Sequence, residues 1–100
     1  MSGSENKFEW DENKNQANRE KHGISFETAR LVFDDAHCLL VLERIEAGEE
    51  RWHAIGMILK TAVVITVVHP HRTEGCQEII RIISARRATK QEENDYAESL

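Results

Sequence analysis

One hundred residues, 40% hydrophobic and 31% charged with a single proline, describe one globular domain with a modest core and exclude both a disordered chain and a two-domain protein. The longest apolar run, Ala62 to Val68 interrupted by Thr66, is far too short to cross a bilayer, and no basic stretch followed by an apolar core opens the chain, so a cytoplasmic protein is expected. The net charge of -5 argues against broad affinity for polyanions, yet it averages -6 over residues 1–50 with +1 over residues 51–100, and Arg72 to Lys90 alone carries +3.

Residues 1–7 read as a disordered tail and residues 8–99 as a single domain. Phe8-Glu9-Trp10 is a short extended segment. Asp11 then offers an N-cap oxygen to a helix from Glu12 to about His22, which Gly23 ends. Apart from Ala17 this helix has almost no apolar face, so its Asn, Lys and Arg side chains are expected on the surface. Ser25 caps a second helix, Phe26 to Phe33, whose buried stripe is Phe26, Ala29, Val32 and Phe33. The pattern then turns extended: Cys38 to Ile45, a turn at Glu46-Ala47-Gly48-Glu49, Arg51 to Leu59, and Thr61 to His69, which Pro70 should stop. Glu78 to Ala85 is the last strand, and Thr89 caps a final helix from Lys90 to about Ser99. Short connections favour an α+β fold: an antiparallel sheet of about four strands with helices packed on one face.

Cys38 and Cys76 lie far apart with no C-x-x-C pair, which fits a reducing compartment and signals neither a disulfide framework nor zinc. His69-Pro70-His71 lacks the further ligands a metal needs, so no metal and no cofactor are expected. Three other groups carry chemistry. Lys21-His22 closes the first helix, either as a cationic cap favoured by the helix dipole or as a phosphate contact and a proton carrier. In Glu49-Glu50-Arg51-Trp52-His53, strand alternation sets Glu49, Arg51 and His53 on one face and Glu50 with Trp52 on the other. A carboxylate, a guanidinium and an imidazole on one face suit metal-free cleavage of RNA, in which a ribose hydroxyl is activated, a phosphorane-like state stabilised and a leaving oxygen protonated. The same charges on a solvated strand end would merely cross-pair.

The third group is Ile79 to Lys90, where Arg81, Arg86, Arg87 and Lys90 punctuate or follow an apolar strand. Guanidinium forks at a sheet end stay charged and bind two phosphate oxygens at once, although Arg81 could also snorkel past the edge to a carboxylate. Strict alternation separates Arg81 from Arg86 unless a bulge intervenes, so one of the two is expected to be structural.

Taken in order, Trp10-Asp11-Glu12-Asn13-Lys14, Lys21-His22-Gly23-Ile24-Ser25-Phe26, Gly48-Glu49-Glu50-Arg51, Gly56 and Arg81-Ile82-Ile83-Ser84-Ala85-Arg86, with Lys90, Glu92 and Tyr96 beyond, resemble the BrnT family of toxins from about Phe8 to Tyr96. The resemblance implies the toxin half of a bacterial type II toxin-antitoxin pair, with two N-terminal helices, one C-terminal helix and a fold similar to RelE-type ribonucleases. It also implies a ribbon-helix-helix antitoxin of the BrnA type as partner, in an assembly of two toxins with two antitoxins that reaches operator DNA through the antitoxin. RNA, with or without the ribosome, is the implied substrate. Lys21, His22, Glu50, Arg51, Arg81 and Arg86 become functional positions by this likeness, whereas strand parity favours Glu49 over Glu50; His53, Arg87 and Lys90 join them as RNA contacts. The competing expectation is a non-catalytic subunit that stabilises a DNA-binding partner.

Overall fold

The computed structural model describes residues 6–58 and 61–100; the expected tail residues 1–5 and the expected strand end Leu59 lie outside the described residues. The chain runs β1 (Asn6–Glu9), α1 (Glu12–His22), α2 (Phe26–Ala29), a 3-10 turn (Arg30–Asp34), β2 (Leu39–Glu46), β3 (Glu49–Ile58), β4 (Val63–Glu74), β5 (Gln77–Arg81), β6 (Ser84–Arg87) and α3 (Lys90–Glu98). The fold is α+β, but the sheet is mixed and has six strands where four antiparallel ones were expected. Its order is β1-β5-β4-β3-β2, with β6 pairing β4 beside β5, and β1 runs parallel to β5. Asn6 and Lys7, assigned to the tail by sequence, are the first residues of β1.

Caps begin and end α1 as expected. Asp11 accepts from the backbone N–H groups of Asn13 and Lys14, and Gly23 takes a left-handed φ of 73°. The helix is not polar all round its circumference to solvent, however, because Asn15 and Asn18 are buried. Asn18 donates to the carbonyls of Ile24 and Ala85 and accepts from Ala85 N–H, while Asn15 accepts from Phe26 N–H. Carboxamides thus dock α1 on the free edge of β6, where an apolar stripe would leave backbone groups unsatisfied. The second helix is shorter than expected: one α turn passes into the 3-10 turn. Phe26, Ala29 and Val32 still form its buried stripe, and Phe33 packs against the core from a half-buried position.

Pro70 does not end its strand. β4 continues to Glu74, pairing β3 as far as Pro70 and β5 from His71 onward. Val68 accepts from Ile83 N–H on the β6 side, and two residues on, the missing Pro70 N–H points to that same side. There the last expected strand is broken into β5 and β6. Opposite β4, His71 pairs Ile80 but Val68 pairs Ser84, so the second partner chain holds one extra residue, a bulge that asks for no donor from Pro70.

Helices cover both faces, not one. On the first face, Ala54, Ile58, Ile65, Val67, Ala85 and Ile82 pack with Phe26, Ala29 and Val32. On the second, α3 is held by Glu92 and Tyr96: Glu92 accepts from Thr66 Oγ1 (2.9 Å), and Tyr96 donates to Asp35, which also accepts from Met57 N–H. Gly56 lets the 3-10 turn lie close, since a Cβ there would come within 2.8 Å of Val32 Cγ1.

Candidate active site

The second face carries a cleft of about 530 Å³ beyond the end of α3, floored by Val68 and Pro70. Glu49 and Arg51 enter from β3, Arg72 from β4, Arg81 from β5 and Lys14 from α1. The strand alternation read from sequence holds: Arg51 stands opposite Pro70, His53 opposite Val68, and Trp52 on the other face opposite His69. Glu50 is exposed opposite Ile45, also on that other face, so of the two adjacent carboxylates only Glu49 lines the cleft.

The bulge between β5 and β6 reverses the expected parity of the arginines. Arg86 stands opposite Thr66 and Arg81 lines the cleft, so both belong to the second face. Their surroundings differ. Arg86 Nη1 and Nη2 donate to the two carboxylate oxygens of Glu92 at 2.7 and 3.1 Å, a bidentate pair. Those bonds, together with bonds from Thr89 N–H and Thr66, outweigh burial and pull the Glu92 carboxyl down to about 2. Arg81 is exposed, and among the described residues its ion-pair partner is Glu9, at 3.6 Å; Glu9 also meets Arg72 at 3.2 Å.

Arg51 lies 3.3 Å from Glu46, and its Nε is buried with no hydrogen-bond partner among the described residues. His53 sits next along the same face, its ring nitrogens 3.8 Å from Glu43 and 3.7 Å from Glu92. Glu43 reaches this face by plain alternation from Val41, and a second bulge, between Leu42 and Arg44, brings Arg44 to the same face.

Lys21 and His22 do not enter the main cleft. They line a smaller groove of about 210 Å³ that shares Lys14, Ile83 and Ser84 with it, so Lys14 and Lys21, two turns apart on α1, flank one continuous track. Arg87 stands opposite Ile65 on the first face, and Lys90 is the exposed first residue of α3; neither meets the cleft. Of the sequence candidates, then, Glu49, Arg51 and Arg81 converge, His53 stands beside them, Lys21 and His22 occupy the adjoining groove, and Glu50, Arg86, Arg87 and Lys90 lie elsewhere or are otherwise engaged. Sequence reasoning missed Lys14 and Arg72 as cleft residues, and Glu9 as the partner of Arg72 and Arg81. A lysine seven residues before Lys21 on one helix was the available signal for Lys14; nothing local marks Arg72, whose place follows from β4 running past Pro70.

An α+β domain with a cationic cleft, one carboxylate and a neighbouring imidazole is equipped to bind a phosphodiester and to move protons on it. The sequence model described as the ribonuclease toxin BrnT of type II toxin-antitoxin systems matches residues 10–92. The chain belongs to that family, and its counterpart is accordingly an antitoxin. Among curated proteins the comparison finds no match.

Proposed function

We propose that the protein is an endoribonuclease that inhibits translation and growth by cleaving RNA with acid-base chemistry that needs no metal. The observation that carries this is the convergence of Glu49, Arg51 and Arg81 in one cleft. Glu49 takes the proton from a ribose 2'-hydroxyl as its oxygen attacks the neighbouring phosphorus. Arg51 and Arg81 hold the charge that builds on the phosphoryl oxygens, and His53 returns a proton to the departing 5'-oxygen. The products are a 2',3'-cyclic phosphate and a free 5'-hydroxyl. Lys14 and Arg72 bind the same strand, and Lys21 with His22 carry it along the adjoining groove. Arg86 acts through Glu92 to set the position of His53, while Arg87 and Lys90 contact RNA outside the cleft.

On this reading the fold is akin to RelE-type ribonucleases, and the substrate is RNA, free or on the ribosome. The partner is a BrnA-like ribbon-helix-helix antitoxin in a 2:2 assembly that reaches operator DNA. Induction of the chain alone should arrest growth with RNA fragments on a gel, and co-induction of the antitoxin should abolish both; intact RNA and undisturbed growth would refute the reading. A non-catalytic subunit is the second reading, favoured by the carboxylates already placed against Arg51, Arg72 and Arg81. It requires that Arg51→Ala and Arg81→Ala keep partner binding and lose no phenotype.

A further inference from the structure

The first face of the sheet is only half covered. α1, α2 and the 3-10 turn pack on β6 and on one end of β3 and β4, while the residues of β2 on that face stay open: Leu40 is 53% exposed, Leu42 43% and Ile45 63%. Three large aliphatic side chains on one face of one strand form a patch that a solitary small protein has no reason to keep. Beside them the sheet holds two buried polar atoms with no hydrogen-bond partner among the described residues, Trp52 Nε1 and His69 Nε2. Trp52 and His69 are cross-strand neighbours on this face, and Trp52 itself stands opposite Leu42.

The two atoms are complementary. His69 is 2% exposed, and its Nδ1 lies 3.3 Å from the Pro70 carbonyl, which can only accept; Nδ1 therefore carries the proton and Nε2 is an acceptor. The indole Nε1 of Trp52 is a donor. A buried donor and a buried acceptor on neighbouring strands, bordering an apolar surface, match a carboxamide or a peptide group, and each costs free energy while unpaired. His69 also lines a cleft of about 140 Å³ with Phe33 and Leu40, large enough for one inserted side chain. Acidic residues stand at two rims: Glu50 opposite Ile45, and Glu78, which pairs with His71 at 3.0 Å. The free edge of β2 is poorly suited to accept another strand, because the bulge at Glu43 and the charges of Glu43, Arg44 and Glu46 interrupt it. Contact is therefore by the face, not by the edge.

We propose that this bare half-face anchors the antitoxin through an amphipathic segment. Its apolar side chains cover Leu40, Leu42 and Ile45, an Asn, Gln or peptide amide pairs with Trp52 and His69, and flanking Lys or Arg residues meet Glu50 and Glu78. The inference rests on the family's protein antitoxin and not on the catalytic reading. The anchor lies on the opposite face from the cleft, so holding the toxin and blocking its cleft are separate acts.

Calorimetric titration of the full chain with its co-produced antitoxin tests this. Leu42→Glu and Ile45→Glu should each weaken binding by about tenfold or more. Both positions are exposed, so circular dichroism and RNA cleavage without antitoxin should match the parent chain; a failed ribonuclease reading would show in that second assay alone and leave the binding result intact. In a Trp10→Phe background, where Trp52 is the remaining tryptophan, its emission should change on adding antitoxin. Unchanged affinity in both Glu variants, or an unchanged Trp52 emission, overturns the proposal. So does a chain that dimerises by itself through this face, seen as sedimentation of a dimer that Ile45→Glu converts to a monomer.

Discussion

Glu49 and Glu50 are neighbours in sequence and separated by the thickness of a sheet. The even-odd rule of a strand sends Glu49 into the cleft with Arg51 and leaves Glu50 beside Ile45. If Glu49 is the proton acceptor, Glu49→Gln should slow RNA cleavage by roughly 10²–10⁴-fold, the usual worth of a positioned base, while Glu50→Gln stays near the parent rate. Single-turnover rates on a defined RNA check the pair, and equal losses in both variants would put the base elsewhere. The arginines follow the same logic. Arg86 is held by two hydrogen bonds to Glu92, whereas Arg81 has, among the described residues, a single ion pair at 3.6 Å and a cleft in front of it. Their different duties were expected from sequence, but their sharing of one face was not.

That difference arises at the scale of elements. Periodicity and caps made α1, the hairpin of β2 and β3, the apolar β4 and the capped α3 legible, because each is written in neighbouring residues: Asp11, Gly48, the run Val63 to Val68, and Thr89 with Glu92. What stayed hidden depends on partners distant in sequence. The bulge between β5 and β6 exists because Ile82 N–H bonds Glu9 O while Ile83 N–H bonds Val68 O, and no local pattern announces that choice. Likewise the burial of Asn15 and Asn18 depends on Phe26 and Ala85 presenting backbone groups to them. The hairpin turn offers a test of its own. Ala47 and Gly48 have φ of 52° and 79°, the geometry of a type I' turn, in which alanine is strained and asparagine is preferred. Ala47→Asn should therefore raise stability by about 0.5–1 kcal/mol, read as a higher melting temperature with cleavage unchanged.

For the whole molecule, the buried His69 and the half-buried Glu92 set how it tolerates acid. Burial, chiefly, pushes the His69 imidazole down to about 4 from 6.5, with His71 and His53 adding to the effect. Its neutral form is favoured in the folded state, so its contribution is complete above pH 6.5 and is lost as pH falls toward 4. Glu92, held down to about 2 from 4.5, contributes fully above pH 4.5 and loses that contribution as pH falls toward 2. Melting temperature should accordingly drop in two successive stages below pH 6.5, each worth up to about 3 kcal/mol. His69→Phe should remove the first stage and Glu92→Gln the second, as thermal scans across this pH range would show. A single stage, unaffected by either substitution, would contradict the assignment.

The cleft on the second face binds this account together, and it is tested most directly by incubating the purified chain with RNA in excess EDTA and analysing the fragment ends. Cleavage that persists in EDTA, leaves 2',3'-cyclic phosphates, and falls by roughly 10²–10³-fold in Arg81→Ala is the result predicted here. RNA left intact by the parent chain both free and on ribosomes, or cleaved equally fast by Arg81→Ala, would contradict it.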